Sequence, residues 1–305
     1  MALLGVLIAV PTASASQIVG RNARDVRLKI NNRGIALVTW RDPRGFRKVL
    51  AWGAMNARHP SPTVRQVKFR LDYTGGSYSF GAGYWKRFKD ASGPYDGPPL
   101  PWLVAARKAP DGSYWALQAW RRLLPNYGYR PWNSFQRAWE LRLSHWSTEP
   151  AKLEIWTDWV DRGRSHHLFG RYTYLGVGVH GYGATPTGSP TDSYGRNVYV
   201  DTYNSAYGSG WQRENSFLTH RPNGNFCYGF YVHRGYDGRM RPKGNGAQYR
   251  ATVIGPGVTP DVMWTAPGLP NYDPDNPQHV AHENEMNALG RTLIANDPDD
   301  KCTAQ

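Results

Sequence analysis

One segment of this chain combines aromatic, acidic, amide and arginine side chains more densely than any other, and it spans residues 193–215. Aromatic rings can stack on the apolar faces of sugars, while carboxylate, amide and guanidinium groups can hydrogen-bond hydroxyls or carboxylates. Glycines in the same segment allow the backbone to approach a ligand closely. The composition predicts a ligand-binding surface made of Tyr194, Asp201, Tyr203, Asn204, Tyr207, Trp211 and Arg213.

Part of this segment resembles a known family. Val200-Asp201-Thr202-Tyr203 with the following Asn204 is similar to the strand-to-loop passage of legume-type lectins, where a V-x-x-D-T-[FY]-x-N run begins a calcium and manganese site. The resemblance covers about ten residues and implies the β-sandwich of the concanavalin A-like lectin/glucanase superfamily. It also implies that Asp201 is a metal ligand. Because Tyr199 and Ser205 replace two of that family's ligands, we expect neither a metal nor another cofactor.

A second hypothesis for the same region is an enzyme that cleaves an acidic polysaccharide by elimination. Such a lyase needs a cation beside the uronate carboxylate and a tyrosine or histidine that removes the C5 proton. The residues that could supply these groups are His180, Tyr203, Arg213 and His220.

A third hypothesis is a structural protein of the cell envelope whose aromatic side chains only form its core. The chain contains no P-loop, no dinucleotide-binding glycine motif and no nucleophile elbow. We therefore favour carbohydrate binding without catalysis over both alternatives.

The charge of the chain is unevenly distributed. The net charge is +14, and residues 1–150 hold 23 Lys and Arg against 8 Asp and Glu. This asymmetry predicts an anionic partner near the first half, such as an acidic polysaccharide or a cell-wall glycan. Because the basic residues are not clustered with stacking aromatics, we expect no specific nucleic-acid binding. The alternative is a compositional effect of a GC-rich genome, since Arg outnumbers Lys 28 to 9.

Residues 1–15 have the pattern of a secretory signal peptide. An apolar run from Ala2 to Val10 is followed by Pro11 and by small residues that end at Ala15. The run is too short to span a bilayer, which takes about 20 residues. No Lys or Arg precedes it, as expected if the assigned start codon lies downstream of the true one. We predict a secreted or cell-wall-associated protein, and the alternative is a buried strand or a disordered tail.

The chain has two cysteines, Cys227 and Cys302. An even number of cysteines in an exported protein predicts a disulfide. This bond would attach the C-terminal tail to the body of the protein. The alternative is two free buried thiols.

The elements that must position these residues are predicted to be short antiparallel strands. Val26, Leu28 and Ile30 alternate with basic residues before a turn and a second apolar run, which is the pattern of a hairpin. Further strands are predicted at 66–73, 113–120, 138–143, 151–160, 168–179, 197–203, 226–232 and 248–254. This pattern predicts a mainly β protein, an antiparallel β-sandwich or jelly roll that forms one domain over residues 16–305.

One C-terminal helix is predicted near residues 277–295. Asn276 can cap it, Pro277 fits its first position, and apolar residues follow at steps of three and four. His279 and His282 lie one turn apart on this helix, where we expect a solvated face. A second histidine pair, His166-His167, is predicted to lie in a basic hairpin turn next to residues 162–164.

Overall fold

The computed structural model describes residues 16–59, 64, 66–121, 138–179, 197–218, 223–235 and 237–295. Within these ranges the chain forms short strands, one 3-10 turn and one α-helix. The strands are β1 (Gln17–Arg21), β2 (Arg24–Ile30), β3 (Ala36–Asp42), β4 (Gly45–Trp52), β5 (Arg70–Asp72), β6 (Leu103–Lys108), β7 (Tyr114–Arg121), β8 (Trp139–Trp146), β9 (Lys152–Val160), β10 (Ser165–Tyr174), β11 (Val177–Gly178), β12 (Asn197–Ser205), β13 (Gly208–Leu218), β14 (Asn225–Gly229), β15 (His233–Arg234), β16 (Met240–Arg241), β17 (Gln248–Val253) and β18 (Val262–Pro267). The helix is α1 (Pro277–Ile294).

The first half of the chain forms an N-terminal sandwich. Sheet A has the strand order β1-β8-β7-β6 and sheet B the order β2-β3-β4-β5. The two sheets share a core that includes Ile30, Val38, Val49, Trp115 and Leu143. Because strand side chains alternate between two faces, these residues point inward while their neighbours form the outer faces of the sheets.

The second half forms a C-terminal sandwich. In sheet C, β10 pairs with β9 on one side and with β14 on the other, and in sheet D the strand order is β13-β12-β17-β18. Their shared core includes Ile155, Tyr172, Val200, Phe226 and Tyr249. The outer face of sheet D therefore carries the residues that alternate with Val198 and Val200.

A buried polar network joins the two sandwiches at Asp261, just before β18. Its side chain accepts hydrogen bonds from Ser16 Oγ at 2.5 Å, from Trp120 Nε1 at 2.7 Å and from the Gly255 amide at 2.9 Å. Its main chain exchanges two 2.9 Å hydrogen bonds with the side chain of Gln118. Since buried polar groups are costly when unpaired, this network ties the halves in one geometry. The assignment of residues 16–305 to one domain stays a prediction.

Helix α1 packs against the C-terminal sandwich. The side chain of Asn276 accepts a hydrogen bond from the first helical turn, as expected for a cap. His282 Nε2 hydrogen-bonds the carbonyl oxygen of Thr157 at 2.7 Å, and Asn225 donates to the Leu293 carbonyl at 2.6 Å. The helix is thus held near both of its ends by side chains that contact strands of sheet C.

The mainly β composition and the single C-terminal helix agree with the sequence prediction. The predicted hairpin at residues 26–40 is β2 and β3, and the predicted helix matches α1 to within one residue. The strand predicted at 66–73 is shorter, because only Arg70–Asp72 pairs with a neighbour. No α-helix among the described residues is long and apolar enough to cross a membrane.

The prediction for His166 and His167 was wrong. The turn lies at residues 161–164, and both histidines are buried in β10. His167 Nδ1 lies 2.7 Å from the Asp158 carboxylate on β9, while His166 faces the core and contacts the Tyr249 hydroxyl. A polar pair can be buried here because each ring has a hydrogen-bond partner.

The predicted disulfide involves a residue outside the described ranges, Cys302, and stays a prediction. Cys227 lies on the face of β14 opposite to the core residue Phe226. Asn225, two positions away, contacts the C-terminal end of α1 through its bond to Leu293. The C-terminal end of α1 therefore lies next to the strand that carries Cys227.

Candidate functional site

The predicted aromatic residues Tyr203 and Trp211 lie side by side on sheet D. They are direct cross-strand partners in the β12–β13 hairpin, and their ring centroids are 5.2 Å apart. Because Val198 and Val200 point into the core, Tyr203 points to the opposite, outer face. Both rings are partly exposed. The structure thus brings these two predicted residues together as a half-open aromatic surface.

An arginine that the sequence did not single out completes this surface. Arg250 on β17 lies with its guanidinium 4.1 Å from the ring centroid of Trp211 and 4.8 Å from that of Trp102. A guanidinium at this distance from an indole face is in cation–π range. Trp102, Arg250, Trp211 and Tyr203 together form what we call the aromatic face.

Asp201 fixes the position of Arg250. Arg250 donates through Nε at 3.0 Å and through a terminal nitrogen at 2.7 Å to one carboxylate oxygen, and Arg213 Nε donates at 2.5 Å to the other. Asp201 and Arg213 are both buried. Two guanidiniums share one carboxylate, so Asp201 orients both Arg213 and Arg250.

The same geometry argues against the metal-ligand role that the lectin resemblance implies for Asp201. A cation would have to displace two arginines from the carboxylate oxygens, and positive groups repel it. Among the described residues, no group of three or more His, Cys, Asp or Glu side chains is placed to hold a metal ion. The site therefore does not fit a metal, and we derive no chemistry from one.

Trp102 is held in an unusual conformation. Its φ angle is +57°, a left-handed conformation that few non-glycine residues adopt. Its indole Nε1 is buried without a hydrogen-bond partner. The Trp102 carbonyl accepts from the Ala119 amide at 2.9 Å, which anchors this residue to sheet A. Such local strain occurs often at ligand-binding sites. It also places the indole from one sandwich against Arg250 of the other.

Asn204 and Tyr207 lie in the turn of the β12–β13 hairpin. Asn204 has a φ of +50°, and its side chain accepts from the Gly210 amide at 2.8 Å. The Tyr207 hydroxyl donates to the Pro242 carbonyl at 3.0 Å. The Asn204 contact lies within the turn, and the Tyr207 contact joins the turn to Pro242.

Three of the predicted residues, His180, Tyr194 and His220, lie outside the described ranges. Of the four residues considered for a lyase, two are therefore described. Tyr203 is partly exposed, whereas Arg213 is buried and bound to Asp201. The guanidinium of Arg213 also lies 4.8 Å from the ring centroid of Tyr199. A substrate carboxylate would have to compete with Asp201 for Arg213.

A cleft lies between the two sandwiches next to the aromatic face. Its volume is about 790 Å³, and it is lined by Pro98–Pro101, Ser147–Leu153 and Asp261–Met263. Pro101 precedes Trp102 in the chain. Met263 is a cross-strand neighbour of Thr252, which is two residues from Arg250 on the same face of sheet D. The aromatic face and the cleft therefore adjoin along β17 and β18.

A buried carboxylic acid lies on the inner side of sheet D. Glu214 on β13 accepts a hydrogen bond from the Tyr228 hydroxyl at 2.9 Å, and its Oε2 is buried without a partner. Burial raises the pKa of Glu214 to about 7, although the Tyr228 bond acts in the opposite direction. A Cβ at Gly244 would overlap this carboxylate, so the glycine allows the backbone to lie directly against Glu214.

The sequence contained only indirect signals for Trp102 and Arg250. Trp102 follows a proline- and glycine-rich stretch at residues 90–101, and Arg250 lies in an alternating strand. Each is far in sequence from residues 193–215, and only the pairing of β17 with β12 brings Arg250 next to Asp201. Comparisons with protein-family models, with curated proteins and with solved structures find no match to this chain.

Proposed function

We propose that this protein is exported and binds an acidic polysaccharide or cell-wall glycan through the aromatic face, without cleaving it. The observation that carries the proposal is the guanidinium of Arg250 between the indole rings of Trp102 and Trp211, with Tyr203 beside them. Export rests on the apolar pattern of residues 1–15, which lie outside the described ranges. The β-sandwich implied by the lectin resemblance is compatible with this role.

The chemistry of the aromatic face suits a charged sugar polymer. Flat rings offer stacking surfaces to sugar rings, and their rigid side chains lose little entropy when a ligand binds. The guanidinium of Arg250, which lies against the rings of Trp102 and Trp211, attracts carboxylates or sulfates on the polymer. Because Asp201 holds both arginines in place, the face is organised before the ligand arrives.

The arrangement of Tyr203 and Arg213 favours binding over elimination chemistry. A lyase requires its base and its carboxylate-neutralising cation to contact the same sugar unit. Arg213 is buried beneath the face, whereas Tyr203 is on its surface. Absorbance of unsaturated uronate in the ultraviolet, measured with an acidic polysaccharide, would reveal a lyase and overturn this part of the proposal.

We expect Trp211→Ala to weaken glycan binding strongly while the protein remains folded. The indole is partly exposed and supplies stacking area, so its loss should weaken retention on an acidic polysaccharide at least tenfold. A tryptophan buried in the core would behave differently, because its replacement by alanine lowers the free energy of unfolding by about 3–5 kcal/mol. A glycan array paired with a thermal melt of the variant separates these outcomes.

Trp139→Ala is the matched control for this experiment. Trp139 is 47% exposed and lies on β8 of the N-terminal sandwich, away from the aromatic face. It should bind glycans like the unmodified protein. If Trp211→Ala instead binds normally, or if no acidic glycan binds the unmodified protein, the carbohydrate proposal fails and a structural role becomes the better explanation.

Retention on an acidic polysaccharide should also fall steeply as salt is added. Most of the basic side chains that the structure describes in the first half are exposed to solvent, and exposed charges are screened beyond about 8 Å at physiological ionic strength. A salt-gradient elution measures the effect directly. Retention that does not change with salt would show that stacking alone drives binding and that the basic half contributes nothing.

A further inference from the structure

A second cavity opens on the outer side of sheet B, in the half of the protein that does not carry the proposed glycan-binding hairpin. Its volume is about 450 Å³, within the range of small-molecule sites. The side chains that matter are those of Arg33, Trp52, Phe80, Asp111 and His145. They come from five separate segments of the chain that the fold brings together.

One wall of this cavity is aromatic. The rings of Trp52 and Phe80 lie 5.3 Å apart in an edge-to-face arrangement, and Phe80 contacts Tyr84 at 4.9 Å. Trp52 and Phe80 pack against a small buried cluster, but both are partly exposed and so also present ring surface to the cavity. Such a wall suits the apolar face of a sugar ring.

A cation is fixed at the edge of this wall. The Arg33 guanidinium lies 5.3 Å from the centroid of Phe80, and one of its terminal nitrogens donates to the Tyr84 hydroxyl at 2.7 Å. These contacts orient the guanidinium while Arg33 remains exposed. An oriented arginine is the side chain best suited to pair with a carboxylate.

A carboxylate lies elsewhere in the same lining. Asp111 Oδ1 accepts from the Ser113 amide at 3.0 Å and from its hydroxyl at 2.6 Å. Burial opposes ionisation of Asp111, but the Ser113 bonds outweigh it and lower the pKa below its ordinary value. Asp111 is therefore ionised at neutral pH, and it can accept hydrogen bonds from ligand hydroxyls.

His145 adds no charge to the cavity at neutral pH. Its Nδ1 lies 2.6 Å from the Ala54 carbonyl and its Nε2 lies 2.8 Å from Ser113 Oγ. Burial lowers the pKa of His145 to about 4, so the ring is neutral. Its Nδ1 donates to the Ala54 carbonyl, and its Nε2 competes with Asp111 for the single proton of the Ser113 hydroxyl. The positive charge available to a ligand among the named lining residues is that of Arg33.

We propose that this cavity binds a single carboxylated sugar residue of the uronate type. The sugar ring would lie against Trp52 and Phe80, its carboxylate would pair with Arg33, and Asp111 would accept hydrogen bonds from its hydroxyls. This second site is separate from the aromatic face of sheet D and does not depend on it. It would let the protein contact an acidic polymer at two places.

The test is a titration of the full protein with three probes, followed by nuclear magnetic resonance. The probes are glucuronate, its uncharged methyl ester and glucose. We expect glucuronate to bind at least tenfold more tightly than either uncharged probe. Arg33→Gln should remove this preference. Asp111→Asn should weaken the binding of all three probes.

Two further variants keep the proposal falsifiable. Arg41→Gln removes the same charge at an exposed position, where Arg41 pairs with the exposed Asp25 at 3.8 Å, and it should retain the preference for glucuronate. Trp139→Ala removes an exposed indole that belongs to neither proposed site, and it should leave glucuronate binding unchanged. Equal affinity for glucuronate and glucose would overturn the proposal, as would an Arg33→Gln variant that binds like Arg41→Gln. Loss of glucuronate binding in Trp211→Ala alone would place the sugar on the aromatic face and overturn it too.

Discussion

Replacing Asp201 with alanine should destabilise the protein by about 3–5 kcal/mol, because it removes the buried carboxylate to which both Arg213 and Arg250 donate hydrogen bonds. Arg213 is 5% exposed and donates to Asp201 at 2.5 Å, and Arg250 donates twice to the other carboxylate oxygen. Chemical denaturation followed by far-ultraviolet circular dichroism measures the loss. The same variant should also lose glycan binding, since Arg250 would no longer be held between its two indoles.

Glu149→Ala is the control for this prediction. Glu149 forms an ion pair with Lys152 at 3.5 Å, and both side chains are largely exposed. Exposed ion pairs contribute little to the free energy of unfolding, because water and salt screen them. The denaturation midpoint of Glu149→Ala should therefore match that of the unmodified protein. A similar result for Asp201→Ala would mean that water reaches the two arginines and that the network does not organise the face.

Replacing Glu214 with glutamine should make the protein less sensitive to alkaline conditions. Burial raises the pKa of Glu214 to about 7 from an ordinary value near 4.5. The folded state therefore keeps this proton over a pH range in which the unfolded state has released it. Stability falls as the pH rises from about 4.5 to 7, and each pKa unit corresponds to about 1.4 kcal/mol.

The glutamine variant carries no titrating group at this position, so its stability relative to the unmodified protein should rise by about 3 kcal/mol between pH 4.5 and 8. His145, whose pKa is lowered, destabilises the protein as the pH falls below about 6.5, but this contribution is common to both proteins and cancels. Denaturation curves of both proteins across this range test the prediction. Glu154→Gln, a change at a partly exposed carboxylate, is the control. If the free energy of unfolding changes with pH in the same way in Glu214→Gln and in the unmodified protein, the prediction is contradicted.

Local patterns predicted much of the fold. The alternation of Val26, Leu28 and Ile30 predicted β2, and the cap at Asn276 with Pro277 predicted the start of α1. These signals depend on neighbours in sequence. The strand β13 was missed because Gly208 and Gly210 have positive φ angles at its start, and glycines of this kind are also typical of loops.

The sequence predicted only those residues of the candidate site that are close to one another in the chain. Tyr203 and Trp211 meet because a short hairpin joins their strands, and composition alone could indicate that segment. Trp102 and Arg250 reach the site through contacts between distant parts of the chain, and no pattern in one sequence reports such pairs. Asp201 was predicted to bind a ligand, whereas the structure shows that it binds Arg213 and Arg250.

Hydroxyl-radical footprinting with and without an acidic polysaccharide tests the central claim most directly. Oxidation of aromatic side chains reports their solvent contact, and the aromatic face contains Tyr203 and Trp211, both partly exposed. Trp139, 47% exposed on β8, serves as the internal control. If the face binds the polymer, oxidation of Tyr203 and Trp211 will slow several-fold on its addition while that of Trp139 stays constant. Unchanged oxidation of Tyr203 and Trp211, at a polymer concentration that saturates binding, would contradict the claim.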